Sequence, residues 1–303
     1  MKLMNPQYKI LLYYKYTTIR NPEKFRDEQR ALCEKLGFTG RIIVAREGIN
    51  GTLEGTEKNV KKYVSYMNKL RGFKNIHWKL SEGTGDAFPK LSIKARPEIV
   101  SLTLGKKDID PREITGKYLS PEQLRTWFEK GKKFKIVDMR NDYEHWVGHF
   151  KGSILPPMKH FRELPKFLPK LKKHKNETVL TVCTGGVRCE KASGLLVANG
   201  FKDVYQLSGG IVSYMKKYPG KDWLGSLYTF DKRKTMTYET DPARVPIGKC
   251  KLCKAPTENF GDCMNMQCHK QFLICKDCEA QGKTGCSVAC EKKVLKVAPV
   301  AAK

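Results

Sequence analysis

The apolar positions of the first hundred residues change rhythm several times, and each change marks an element. Tyr8 to Tyr16 is rich in Ile, Leu and Tyr and reads as a strand. Pro22 opens a helical stretch through Phe25, Ala31, Leu32 and Leu36, which Gly37 closes. Arg41 to Ala45 reads as a second strand and Gly51 to Gly55 as a third, after a turn over Gly48–Gly51. Lys58 to Leu70 places Val60, Val64 and Met67 on one helical face, and Ile76 to Leu80 gives a fourth strand. The order βαββαβ predicts a small ferredoxin-like, or acylphosphatase-like, domain over residues 1–106. Phe88–Lys94 and Glu98–Leu102 read as further strands. The polar stretch from Asp108 to Lys117, with Pro111 and Gly116, reads as a linker.

A second pattern follows. Ser120-Pro121 has the form of an N-cap and first helical position. Lys135–Arg140 is a buried strand ending in a charged pair, and Thr178–Val182 and Val204–Leu207 are further strands with helical spacing between them. Alternating strands and helices predict a parallel α/β domain, here over 118–225, whose sites lie at the carboxyl ends of strands. Cys183 stands at one such end. The run Cys183-Thr184-Gly185-Gly186-Val187-Arg188-Cys189 follows the strand directly, and a helical pattern from Glu190 to Ala198 follows the run. Unpaired backbone N–H groups and the helix dipole both favour a thiolate in such a loop, and Arg188 adds a fixed charge. Cys183 and Arg188 are therefore the candidate catalytic residues. Thr184, Gly185, Gly186, Val187 and Cys189 support the loop.

Charge narrows the partner. With 58 Lys and Arg against 31 Asp and Glu, the net charge is +27 and the pI about 9.6. An excess of that size fits a polyanion, with nucleic acid ahead of a membrane surface, since no apolar run approaches the length of a membrane span. Lys166, Lys170, Lys172 and Lys173, together with Arg46 in the first domain, are the candidate RNA contacts. Met1–Pro6 has no signal-peptide core, so a cytoplasmic, reducing setting is expected. There the 11 cysteines read as metal ligands or redox groups.

Eight of them lie in the region 242–296. Cys250-x2-Cys253 and Cys275-x2-Cys278 have zinc-ligand spacing, and Cys263-x4-Cys268 and Cys286-x3-Cys290 supply two looser pairs. One or two structural zinc ions are expected, with His269 as a substitute ligand. Spacing alone allows either an interleaved or a sequential pairing. A segment this poor in large aliphatic residues needs such a staple.

Asp138-Met139-Arg140, Tyr143-Glu144, Gly148-His149, the Cys183 loop and Leu207-Ser208-Gly209-Gly210-Ile211 together resemble a rhodanese domain. The resemblance implies a persulfide-forming cysteine at Cys183. The six residues Cys183–Arg188 make a cradle suited to one terminal sulfur, a residue shorter than related phosphatase loops. Cys189 departs from sulfur-donor rhodaneses. It either resolves an oxidised Cys183 or packs at the helix start with its side chain turned away. Over nearly its whole length the chain resembles the bacterial tRNA uridine(34) hydroxylase family, with further likeness at Ala45–Thr52 and around Cys263-Met264-Asn265 and Cys268-His269-Lys270-Gln271-Phe272. Membership implies O2-dependent conversion of the wobble uridine in the tRNA anticodon loop to 5-hydroxyuridine, with Cys183 essential. Two chemistries stay open. Cys183 adds to C6 of the ring, or a Cys183 persulfide or sulfenic acid carries the oxygen or the reducing equivalents. With no iron site, flavin motif or dinucleotide loop in the sequence, the electron donor is unassigned, as is the oligomeric state. A sulfurtransferase and a non-enzymatic zinc-bearing RNA-binding protein are the rival readings.

Overall fold

The computed structural model describes residues 7–241 and 243–297. Met1–Pro6, on which the export reading rests, and Pro242, where the cysteine-rich region was expected to begin, lie outside the described residues. The chain packs as two units, one of residues up to 142 with 152–218, the other of 143–151 with 219 onward.

The first unit begins with β1 (Tyr8–Tyr16), α1 (Pro22–Lys35), β2 (Thr39–Ala45), β3 (Gly48–Thr56), α2 (Glu57–Lys69), β4 (Lys79–Gly83) and β5 (Leu91–Ala95). Their sheet runs β4-β1-β3-β2-β5, antiparallel except for β5 beside β2. This is the expected ferredoxin-like plan with one added strand. Asn21 caps α1 and Thr56 caps α2 through their side-chain oxygens. Leu11 and Tyr13 point into a core with Cys33, Tyr63 and Met67.

Four expectations shift. Ala45 pairs with Gly48, so the turn is Arg46-Glu47 and Gly48 already belongs to β3. At φ +151° Gly48 lies against the Lys15 carbonyl, where a Cβ would collide. The fourth strand starts at Lys79, because Ile76 and Trp78 pack into the core from an irregular segment. Glu98–Leu102 is not a strand: the Glu98 carboxylate takes the N–H groups of Leu102 and Thr103, and Thr103 turns to φ +58°. The expected linker is packed. Ile109 is buried, and Gly116 N–H donates to the Ser193 hydroxyl at 2.8 Å.

The chain continues through β6 (Lys117–Leu119), α3 (Pro121–Glu129), β7 (Lys135–Asp138), the one-turn α4 (Asp142–His145), β8 (Gly148–Phe150), α5 (Leu164–Leu171), β9 (Thr178–Val182), α6 (Val187–Ala198), β10 (Asp203–Leu207) and α7 (Gly210–Lys217). Strands β6-β10-β9-β7 form an all-parallel sheet. Ser120 and Gln123 close a capping box on α3. Beneath the sheet, Val137, Val179, Leu196 and Val204 share one core with Cys183 and Cys189.

In the second unit β8 pairs with β11 (Trp223–Gly225), β12 (Leu227–Tyr228) with β13 (Thr235–Met236), and β14 (Phe260–Asp262) with β15 (Gln271–Leu273). The short helices α8 (Lys276–Ala280) and α9 (Val288–Val297) follow. Its apolar clusters are small, and one consists of Cys250, Cys263, Cys275 and Cys278 with Phe272 and Ile274. Among the described residues no helix is long and apolar enough to cross a membrane.

Candidate active site and cysteine clusters

Strand β9 delivers Cys183 into a tight loop, and the backbone turns into α6 at Gly186, which adopts φ +103°. Val187, Arg188 and Cys189 thus lie in the first helical turn rather than in the loop itself. Cys183 is fully buried, and Gly186 N–H donates to its sulfur at 3.2 Å. Helix α7 secures the loop from outside: Ile211 N–H donates to the Cys183 carbonyl at 2.9 Å and Val212 N–H to that of Thr184 at 3.1 Å. Gly210 sits so close to these carbonyls, at φ +71°, that no side chain fits there. Arg188 is almost fully buried and donates to the Thr184 hydroxyl at 3.2 Å.

The Cys189 side chain turns toward Cys183, and the two thiols hydrogen-bond. Burial is the largest influence on Cys183 and would raise its pKa. The Cys189 thiol, the Arg188 charge and the N–H groups of Cys189 and Gly186 outweigh it and bring Cys183 down to about 6. Burial and the adjacent Cys183 charge push Cys189 well up. One sulfur of the pair is therefore a thiolate at neutral pH, with the other as its donor.

The remaining face of the loop is covered by the first domain. The Leu12 side chain packs on Gly185 and the Tyr14 ring on Gly186. Tyr14 donates to the buried Glu190 carboxylate at 2.8 Å, and Tyr118 donates to the same group at 3.0 Å. Lys191, fully buried on α6, pairs with Glu47 at 2.9 Å, Glu98 at 2.8 Å and Asp108 at 2.7 Å. This explains the Ala45–Thr52 motif: Glu47 at its turn is one arm of that clamp.

In the tail, Cys250, Cys253, Cys275 and Cys278 bring their sulfurs within 4.8 Å of one another, as do Cys263, Cys268, Cys286 and Cys290. The pairing is thus interleaved. Thiolates 2.3 Å from one tetrahedral ion lie about 3.8 Å apart. The Cys253–Cys275 separation of 3.4 Å, and those of Cys268–Cys286 and Cys286–Cys290 at 3.7 Å, are close to that value. Both groups fit a metal ion with four sulfur ligands. His269 is exposed and belongs to neither group among the described residues.

Residues 8–99 match the family described as UPF0176 acylphosphatase like domain, 120–217 the Rhodanese-like domain, and 224–291 the Rhodanase C-terminal family. The chain is 44% identical over 286 residues to the tRNA uridine(34) hydroxylase of Bacillus thuringiensis (strain Al Hakam), covering 93% of this chain and 89% of the relative. It is 42% identical over 290 residues to that of Acholeplasma laidlawii (strain PG-8A), covering 95% and 90%. The chain belongs to the tRNA uridine(34) hydroxylase family. Among solved structures, a rhodanese-like domain protein from Staphylococcus aureus is 33% identical, covering 32% of this chain and 90% of that one, with a TM-score of 0.29.

For this family member the expected RNA contacts are all exposed: Lys166 and Lys170 one turn apart on α5, Lys172 and Lys173 just beyond it, and Arg46 at the β2–β3 turn. Cys183, by contrast, is fully buried. The sequence reading missed Leu12, Tyr14, Tyr118, Glu190, Lys191 and Lys79. One signal for the first two was available. From Ile10 to Tyr14 the middle of β1 is apolar or aromatic on both faces, as expected of a strand covered on both sides.

Proposed function

We propose that this chain hydroxylates C5 of uridine 34 in the anticodon loop of tRNA, with O2 as co-substrate. Cys183 is the nucleophile, and Arg188 holds it as a thiolate. The observation that carries the reading is a buried cysteine brought to about 6 in a chain 44% identical to a tRNA uridine(34) hydroxylase across 93% of its length. A non-enzymatic zinc-bearing RNA-binding protein would not need such a loop, and a sulfurtransferase would not need a net charge of +27. Of the two chemistries the loop allows, addition of the Cys183 thiolate to C6 uses the ionisation state the loop provides, and it makes C5 electron-rich.

Since Leu12 and Tyr14 cover the loop, the flipped base enters between the sheet of the first domain and the Cys183 loop, displacing that cover. Lys166, Lys170, Lys172, Lys173 and Arg46 serve the phosphate backbone, where lysine and arginine act without sequence preference. Two zinc ions hold the tail. A site with four cysteine ligands has no open position, so its part is structural. The test is nucleoside mass spectrometry of tRNA after reaction with the wild-type protein and with Cys183→Ser. Loss of 5-hydroxyuridine by about a thousandfold or more, with tRNA binding retained, is expected. Modification by the variant at the wild-type level overturns the assignment.

A further inference from the structure

Strand β4 inverts the usual partition of side chains. It buries Lys79, 7% exposed, and turns Leu80 out, 42% exposed. A buried ammonium costs free energy unless something compensates it. Its contacts here are slight: it donates to the His77 carbonyl at 3.3 Å and lies 5.0 Å from the centre of the Tyr14 ring. Among the described residues no carboxylate is within ion-pair distance of it. Lys191, the other buried lysine of this unit, has three.

The sheet register says what Lys79 faces. Lys79 stands directly opposite Leu12 in the antiparallel β1–β4 pair, so both side chains leave the same face. Leu12 packs on Gly185, and Tyr14, two residues along the same face, packs on Gly186. The ammonium is therefore held over the Cys183 loop, where it feels the Cys183 and Glu190 charges; burial nonetheless brings it down to about 8, so that it gives up a proton readily.

We infer that Lys79 is a catalytic residue of the uridine chemistry: it donates to the pyrimidine carbonyl oxygen O4 while the Cys183 thiolate adds to C6. This rests on the function proposed above. In the step, the sulfur electron pair forms the S–C6 bond and the C5=C6 pair moves through C4 to O4, giving an enolate whose charge the ammonium neutralises. Reversal expels the thiolate and restores the ring, and nothing is oxidised or reduced. A base lying between the loop and the β1–β4 face has the nucleophile on one side and the cation on the other. What the step requires of the side chain is a positive charge and an N–H donor at O4.

The step has a signature of its own. If the enolate takes a solvent proton at C5 and loses the original C5 hydrogen before the thiolate leaves, that hydrogen exchanges. The experiment incubates the full-length protein with tRNA in D2O with oxygen excluded and reads deuterium at C5 of uridine 34 by mass spectrometry. Formation of 5-hydroxyuridine in air is measured in parallel. Exchange by the wild type, a loss of about a hundredfold or more in Lys79→Met, and substantial recovery in Lys79→Arg are expected, with tRNA binding unchanged. Lys79→Gln carries the same comparison if the methionine variant does not fold. Equal exchange by wild type and variant overturns the assignment of Lys79 and leaves the proposed function standing. So does a wild type that forms 5-hydroxyuridine in air without exchange. A wild type that forms no 5-hydroxyuridine overturns the underlying function, and Lys79 with it.

Discussion

Cys183 lies in the core of a parallel α/β domain and is brought to about 6 by hydrogen bonds and a guanidinium; Cys250, in the tail, reaches about the same value against its own burial through the N–H groups of Cys253, Cys275 and Leu252. The two thiols share a tendency to ionise and differ in what depends on them. Around Cys183 the architecture is complete without the sulfur: apolar side chains fill the core, and Ile211 and Val212 hold the loop by its carbonyls. Around Cys250 the cysteines are themselves the core, with Phe272 and Ile274 as its main apolar members. In one region the fold presents a cysteine, and in the other cysteines make the fold. A low thiol pKa by itself does not separate a nucleophile from a ligand; the second group of sulfurs beside it does.

The largest effect that would test this contrast is metal loss. Structural zinc binding is worth about 10–16 kcal/mol in small domains, which is most or all of their folding free energy. Strong chelation, or Cys278→Ser, should make the tail susceptible to protease while the Cys183 domain keeps its thermal transition. Elemental analysis should give two ions per chain, falling to one in Cys278→Ser. A chain that binds a single ion and keeps a protected tail would refute the two-cluster assignment.

Next in size is the clamp behind the loop. Lys191→Met leaves Glu47, Glu98 and Asp108 gathered around an apolar side chain, and stranding buried charge costs about 3–5 kcal/mol. A denaturant midpoint lowered to that extent is expected, with the tail's metal content unchanged. A midpoint within about 0.5 kcal/mol of wild type would mean that the three carboxylates are neutralised by other means.

How far each region was legible in the sequence follows from the range of the forces involved. β1, α1 and the four cysteine pairs rest on local spacing, and the structure has them where the pattern put them; the Cys183 loop begins where it was expected but ends at Gly186, with the helix starting at Val187 rather than Glu190. The ferredoxin-like order was readable for the same reason. What escaped involves partners far apart in the chain. Glu190 and Lys191 were legible only as the opening of a helical pattern, because nothing local announces Tyr14, Glu47 or Asp108 as their partners. Asp108–Lys117 read as a linker for its polarity, yet Asp108 pairs with the buried Lys191, and Thr115 and Gly116 hydrogen-bond to Ser193 of α6. The β4 boundary was misplaced because apolar Ile76 and Trp78 pack without pairing, while the polar Lys79 begins the strand. The choice between interleaved and sequential pairing of the tail cysteines also required the fold.

A smaller effect concerns the charge state of Cys183. Its rate of alkylation by iodoacetamide, though slow in absolute terms under Leu12, should rise with pH and level off above about 6, where an ordinary cysteine keeps rising toward 9. Because the folded pKa lies below the unfolded one, the thiolate stabilises the fold fully above about 9, and that contribution is lost as pH falls through about 6. Arg188→Gln should move the midpoint up by about one unit, or about 1.4 kcal/mol, since Arg188 is one of several groups acting on the sulfur, beside the Cys189 thiol, the N–H groups of Cys189 and Gly186 and the Lys79 charge. A profile still rising at pH 8 in the wild type would remove the distinction between the loop cysteine and a packed one.

The smallest effect is expected at His269, the residue whose chemistry most invites a place among the ligands. Its backbone sits at φ +49°, its N–H donates to the Asn265 carbonyl at 3.2 Å, and its side chain is exposed. Asparagine tolerates that left-handed conformation and keeps the backbone bond, so His269→Asn removes the imidazole with little else. Metal content should stay at two ions per chain, and stability within about 0.5 kcal/mol of wild type. Loss of an ion in this variant would place an imidazole in a site that the geometry assigns to Cys263, Cys268, Cys286 and Cys290, and the tail would then hold its metals with fewer than eight thiolates.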